Sequence, residues 1–277
     1  MKSDVGIVIP FYYLSDNFET DINTLQETIE STRTFTRKII VVDDGTKLSG
    51  INGAKLVKHN SNLGKGAALR TGLEYLLSDK DIKFIIEVDA DNDQDPKEVV
   101  KFFEIFKKIS PEEGYLVIGD RYSAPQMKNV GYYRESINEI QTSLFSQFGF
   151  KIRDSVSGFR GYSRNFANVI LWDSKSKGFG IATEEIILAY LKNATLEEIP
   201  LEYAKPRKDS TKAYKLSEVL AGITIHGREL KKRGHSELVD YLNNIKIQIE
   251  RKVNRIPFRI GGKEFVFRYN GDSYTIG

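Results

Sequence analysis

Apolar runs alternating with amphipathic stretches constrain this chain most. Val5-Gly6-Ile7-Val8-Ile9 ends at Pro10, and Lys38-Ile39-Ile40-Val41-Val42 runs into Asp43-Asp44-Gly45. Leu56-Val57 is shorter, and Phe84-Ile85-Ile86-Glu87-Val88 leads into Asp89-Ala90-Asp91-Asn92-Asp93. Between them lie helical stripes: Ile22, Leu25 and Ile29, then Leu73, Leu76 and Leu77, and after the fourth run Val99, Phe102, Phe103 and Phe106. Nearly continuous apolar strands separated by helices predict an α/β fold, a mostly parallel sheet covered on both faces. Ligands of such sheets bind beyond the carboxyl ends of the strands. The polar signatures sit there: Pro10 to Tyr12, Asp43 to Gly45, and Asp89 to Asp93.

The acid cluster has competing readings. In an extended chain residues two apart share a face, so Asp89, Asp91 and Asp93 would converge and repel unless a cation lay between them. Magnesium and manganese take oxygen ligands, commonly one or two carboxylates plus substrate phosphates. A calcium loop of the EF-hand type is excluded, because Gln94 stands where it needs Gly and Val100 where it needs Glu. The plainer alternative is a strand-to-helix turn in which Asp95 caps a helix that Pro96 begins. Three polar strand ends on one sheet edge favour a site.

Composition narrows the chemistry. The 277 residues contain no cysteine, which excludes thiol catalysis, disulfides and cysteine-bound zinc, and fits a cytoplasmic protein. The three histidines, His59, His226 and His235, form no metal-binding pair. A formal charge of +3 gives no case for nucleic acid. The most apolar N-terminal run, from Val5 to Leu14, contains Pro10 and is too short to span a bilayer, and no signal peptide is visible.

Further along, Asn62-Leu63-Gly64-Lys65-Gly66 opens a helix without matching a Walker or dinucleotide loop. Its glycines and Lys65 serve a diphosphate or close helix packing equally well. The strand Tyr115 to Ile118 ends in Asp120-Arg121. Arg134 and Asn138 lie one helical turn apart, and Arg207 and Lys212 flank a short polar loop. Opposite an acidic edge, these cations read collectively as anion-binding.

From about residue 4 to 212 the chain resembles family 2 glycosyltransferases of the GT-A fold, in the branch of dolichyl-phosphate mannose and glucose synthases. The resemblance rests on Pro10-x-Tyr12, Val42-Asp43-Asp44-Gly45, Asn62-x-Gly64-Lys65-Gly66, Asp89-Ala90-Asp91 with Asp95-Pro96, Gly119-x-Arg121-Tyr122, Asp154-x-x-Ser157-Gly158-Phe159-Arg160, and Gly178-Phe179 with Glu184. It implies that Pro10, Tyr12, Val42 and Asp44 cradle the base and ribose of a nucleotide-sugar. Lys65 and Ala90 line the donor site, and Asp91, flanked by Asp89 and Asp93, holds Mg2+ or Mn2+ on the diphosphate. Arg121 and Arg134 would meet an acceptor phosphate, and Arg207 and Lys212 would close over the donor. Asp154 and Glu184 are the candidate bases if the acceptor is a hydroxyl, or structural residues, with Asp154 bracing Arg160. Two departures stand out: Asp93 where the branch often has Gln, and Tyr13-Leu14 where Asn-Glu is common.

These readings predict a catalytic domain over residues 1–214 and an appendage over 215–277. The appendage is expected to hold a helix over 216–233 with a basic end, suited to a membrane surface or to packing on the domain. A second helix carries Leu238, Tyr241, Leu242, Ile245 and Ile249, and a small β-meander follows from Phe258 to Tyr269. Its uses are cover for the catalytic domain or a homodimer contact. The expected activity is metal-dependent, inverting transfer of a hexose from GDP-mannose or UDP-glucose to a polyprenyl phosphate. Transfer to a soluble or polysaccharide acceptor is the alternative. A nucleotidyltransferase would need a glycine-rich basic loop where Pro10-Phe11-Tyr12-Tyr13 stands.

Overall fold

A computed structural model describes residues 4–13, 17–129, 132–205, 216–269 and 274–276. The chain begins β1 (Val5–Phe11), α1 (Phe18–Arg33), β2 (Ile39–Asp43), β3 (Lys55–Lys58), α2 (Lys65–Leu77), β4 (Phe84–Glu87) and α3 (Val99–Phe106). It continues β5 (Tyr115–Asp120), α4 (Tyr132–Ser146), β6 (Arg160–Ser163), α5 (Arg164–Asp173), α6 (Ile181–Leu191) and β7 (Thr195–Pro200). Last come α7 (Leu216–Ile225), α8 (Gly227–Lys232), α9 (Ser236–Glu250), β8 (Arg255–Ile260), β9 (Lys263–Tyr269) and β10 (Tyr274–Ile276).

The first seven strands form one sheet in the order β3-β2-β1-β4-β6-β5-β7. All neighbours are parallel except β6, which runs antiparallel between β4 and β5. The mostly parallel α/β sheet expected from the apolar runs is therefore present. Side-chain alternation divides the core. Val5, Ile7 and Ile9 face Leu25 and Ile29 of α1 and the phenylalanines of α3. Val8, Ile40, Val42 and Ile85 face Leu69, Leu73 and Leu76 of α2.

The expected helix over 216–233 is two helices, broken at His226. The His226 Nε2 is 2.7 Å from Glu184 Oε1 at the head of α6. This buried tie holds the break, with His226 at φ −100° and ψ 16°. The helix carrying Leu242 and the meander are as expected: α9 precedes an antiparallel β8-β9-β10 sheet. Leu220, Ile223, Leu242, Ile245, Phe258 and Phe267 share one apolar cluster with Ile137 and Leu144 of α4 and Ile187 of α6, so this segment packs on the sheet-bearing part. The predicted boundary at 214 lies outside the described residues. Among those described, no helix is long and apolar enough to cross a membrane.

Candidate active site

Adjacent parallel strands bring the ends of β2, β1 and β4 to one edge. The Asp44 N–H donates to Phe11 O at 2.9 Å, joining the ends of β1 and β2. Tyr12 is exposed there and Pro10 half-buried, while Val42 is buried against α2 as a core residue. Asp44 is buried. It accepts from the N–H groups of Leu63 and Gly64 at 2.9 and 2.8 Å and lies 2.7 Å from His59 Nδ1. It thereby fixes the entry to α2 beside the edge. Asp43 caps the neighbouring turn through Thr46 and Leu48 N–H groups. Tyr13, which stands where the resemblance leads one to expect Asn, donates its hydroxyl to Thr46 O at 2.5 Å.

The three acids do not converge as the extended-chain argument predicts. Strand β4 stops at Glu87, and Asn92 adopts φ 51°, so the backbone turns before Asp93. The Asp93 N–H donates to Asp91 Oδ1 at 3.0 Å, and the Asp93 side chain is buried. Among the described residues no three Asp, Glu or His side chains gather as a metal-holding group. Half-buried Asp89 and Asp91 still present carboxylate oxygens at the edge. That donor chemistry fits a hard divalent cation completed by diphosphate oxygens and does not fit a closed protein cage. Asp95 is the helix cap anticipated, accepting from Lys97 N–H at 2.9 Å, with Pro96 following.

Lys65 stands at the first position of α2, with its ammonium 2.6 Å from Asp89 Oδ1 and 3.1 Å from Glu87 Oε1. Gly64 and Gly66 serve close packing. Gly64 has φ +96°, and a Cβ there would lie 2.5 Å from Lys177 O; one on Gly66 would strike Ser176 O.

The wall beyond β4 is a set of buried ion pairs. Arg121 Nε and Nη2 donate to the two oxygens of Asp154 at 2.7 and 2.8 Å, with both residues buried. Asp154 therefore braces Arg121, not Arg160. Arg160 Nη1 donates instead to Glu185 Oε2 at 2.7 Å and to Ala182 O at 2.8 Å. Tyr162 donates to Glu87 Oε2 at 2.6 Å and lies 3.2 Å from both Glu185 oxygens. Burial first, then the neighbouring Glu87, pushes Glu185 up to about 7 against the pull of Arg160. Burial likewise raises the Tyr162 phenol, with Glu185 and Glu87 adding to it.

Glu184 lies in the first turn of α6, fully buried. It accepts from Lys175 and Ser176 N–H groups, each at 2.8 Å, besides meeting His226. Burial opposes its charge, but these donors, His226 foremost, hold the carboxyl below its ordinary value. Glu198 of β7 supports the same wall by accepting from Arg153 and Asp154 N–H groups. The backbone of Arg134 is on α4; its side chain, and all of Arg207 and Lys212, lie outside the described residues.

The sequence reading missed Glu87, Glu185, Tyr162 and Glu198. A signal was available for two of them: Glu87 is a charge within an apolar strand, and Glu185 is one of two acids in the otherwise apolar start of α6. Such charges demand buried partners.

The mostly parallel sheet with one reversed strand and acids beyond β4 is the GT-A arrangement expected from the sequence. The model for glycosyl transferase family 2 matches residues 7–171, and the chain belongs to that family. An uncharacterised protein of Methanocaldococcus jannaschii is 31% identical over 214 residues, covering 73% of this chain and 82% of that one. The UDP-N-acetylglucosamine–dolichyl-phosphate N-acetylglucosaminyltransferase of Methanococcus voltae is 24% identical, over 72% of this chain and 84% of its own. Glucosyl-3-phosphoglycerate synthase from Mycobacterium tuberculosis, solved with Mn2+ and UDP-glucose, shares the fold with a TM-score of 0.55. It is 16% identical, covering 99% of this chain and 86% of that one.

Proposed function

We propose that this chain transfers a hexose, with inversion, from a nucleoside-diphosphate sugar (GDP-mannose or UDP-glucose) to a polyprenyl phosphate. The observation that carries the acceptor choice is the engagement of both candidate bases. Asp154 is bound on both oxygens by Arg121, and Glu184 on both by backbone N–H groups and His226. A hydroxyl acceptor needs a base to remove its proton, whereas a phosphate is already anionic and needs only placement. The dolichyl-phosphate acceptor named for the Methanococcus relative supports the same class.

In this reading Tyr12 and Pro10 receive the base and ribose at the end of β1, on a floor that Asp44 holds rigid. Asp91 would hold a divalent cation, Mg2+ or Mn2+, at the donor site. When bound, the ion would supply neutralisation of the charge that builds on a departing diphosphate. The resemblance assigns Arg207 and Lys212 to the same leaving group. Arg121 is already matched in charge by Asp154, so the acceptor phosphate falls to Arg134, with Arg121 shaping the wall beside it. Enzyme and acceptor meet at the membrane surface.

The test is a radiolabelled transfer screen of nucleotide-sugars with and without polyprenyl phosphate, in Mn2+ or EDTA, with the anomeric configuration read by NMR. Product that partitions into solvent with the lipid, is lost in EDTA and has inverted configuration is expected. Product only with a soluble acceptor refutes the lipid assignment, and retention refutes the mechanism.

A further inference from the structure

We propose that a cavity at the amino ends of β2 and β3, on the sheet edge opposite the acids, is a binding site for a phosphate-bearing anion. The cavity measures about 560 Å3 and is walled by the end of α1, the turn into β2, the start of β3 and the end of α2. That volume lies within the range of small-ligand sites. Strand β2 has five residues, so the cavity is roughly 15 Å from Asp43 at the other edge.

The charge of the cavity is one-sided. Arg33, Arg37, Lys38 and Lys55 line it against a single acid, Asp79, and Asp79 is paired with Lys38. Asp81, outside the lining, adds to the pull on Lys38. Among the described residues neither Arg33 nor Arg37 has a carboxylate partner. The Lys55 ammonium lies 4.2 Å from the centre of the Tyr75 ring and meets the Tyr75 hydroxyl, which holds the cation at the wall without neutralising it. Arg33 lies over Gly53, where a Cβ would come within 3.1 Å of Arg33 Cδ and 3.3 Å of its Nη1.

Helix polarity explains only part of this. Arg33, in the last turn of α1, complements the negative end of that helix. Arg37 lies beyond the helix and Lys55 on a strand, so neither is explained in that way. The last carbonyl of α2, Leu77 O, is taken by Arg164 Nη2 at 2.7 Å and does not answer the cations of the cavity. Arg33, Arg37 and Lys55 therefore repel one another across a concavity floored by Ile40, Leu76 and Ile82 until an anion lies between them. Two guanidinium forks match phosphate oxygens in charge and in planar geometry.

The phosphate comes either from a soluble anion or from a lipid headgroup, and two arms of one experiment distinguish the sources. Isothermal titration of the full chain with inorganic pyrophosphate in EDTA reads the first. Sedimentation with phosphatidylglycerol vesicles, against phosphatidylcholine vesicles, reads the second. Binding in at least one arm is expected, weakened at least about tenfold in Arg33→Gln/Arg37→Gln and unaltered in Asp91→Asn. Pyrophosphate binding alone assigns a soluble anion, and vesicle binding lost in the double variant assigns a headgroup. In the wild-type chain the bound anion should slow amide exchange at residues 53–55 and 75–79, a readout that does not depend on how the variants fold. No binding in either arm, equal affinity in the wild type and a double variant with native circular dichroism, or protection confined to residues 89–93 overturns the proposal.

Discussion

Arg121 grips Asp154 with two parallel donors, Nε at 2.7 Å and Nη2 at 2.8 Å, across 33 residues of sequence and out of reach of solvent. The Arg121 backbone N–H reaches the same carboxylate at 3.0 Å. Breaking a buried, two-pronged pair by neutralising one member is costly, so Asp154→Asn should cost about 3–5 kcal/mol of stability. Arg121→Lys should recover little, because a lysine cannot reproduce the planar fork. Urea unfolding of both variants checks this, and a loss of under 1 kcal/mol would contradict it.

The proton on Glu185 sets a pH dependence. With its carboxyl lifted from 4.5 to about 7, the native state keeps a proton that the unfolded chain has released. The stability this lends is complete below the unfolded value and is lost as pH rises through about 7. Unfolding free energy should therefore fall between pH 5 and pH 8, and the fall should flatten in Glu185→Gln. Parallel slopes in the two proteins would show that another group is responsible.

The head of α2 has no room to spare. A methyl group at Gly66 would strike the backbone carbonyl of Ser176, which cannot rotate away as a side chain would. Gly66→Ala should destabilise by about 1–3 kcal/mol. It should also raise the KM for the nucleotide-sugar by displacing Lys65, whereas an unchanged melting temperature would refute the contact.

The break between α7 and α8 depends on the His226–Glu184 contact. His226→Ala leaves one buried carboxylate oxygen short of a donor and should cost about 1–3 kcal/mol. Amide exchange should quicken at Lys175 and Ser176, whose N–H groups share that carboxylate. Exchange confined to α7 and α8 would argue against the link.

Much of the sheet was legible because the apolar runs of β1, β2 and β4 give way to proline or acidic residues and the helices between them carry apolar stripes. Pro10, Asp43 and Asp89 were correctly assigned to one edge for that reason. The convergence of Asp89, Asp91 and Asp93 was not, since a period of two holds only while the chain stays extended, and Asn92 takes a left-handed backbone that Asn tolerates but does not announce. The partner of Asp154 was misread as Arg160 because pairing depends on which strand lies beside which. The reversal of β6 places Asp154 next to the end of β5, a fact of topology that local pattern does not carry. His226 looked like an ordinary residue within a helix, and only its distance to Glu184 explains the break.

The reversed strand β6 also bears on how the chain is made. Until residues 160–163 leave the ribosome, β4 has β1 on one side and an unsatisfied row of peptide groups on the other. The edge so exposed, Phe84-Ile85-Ile86-Glu87, is short and apolar, and such edges recruit other chains. Its only charge is Glu87, whose partners Lys65 and Tyr162 are made before and after the gap. A nascent chain stalled before residue 160 should therefore be bound by chaperones that recognise extended apolar segments, and one released past residue 163 should not.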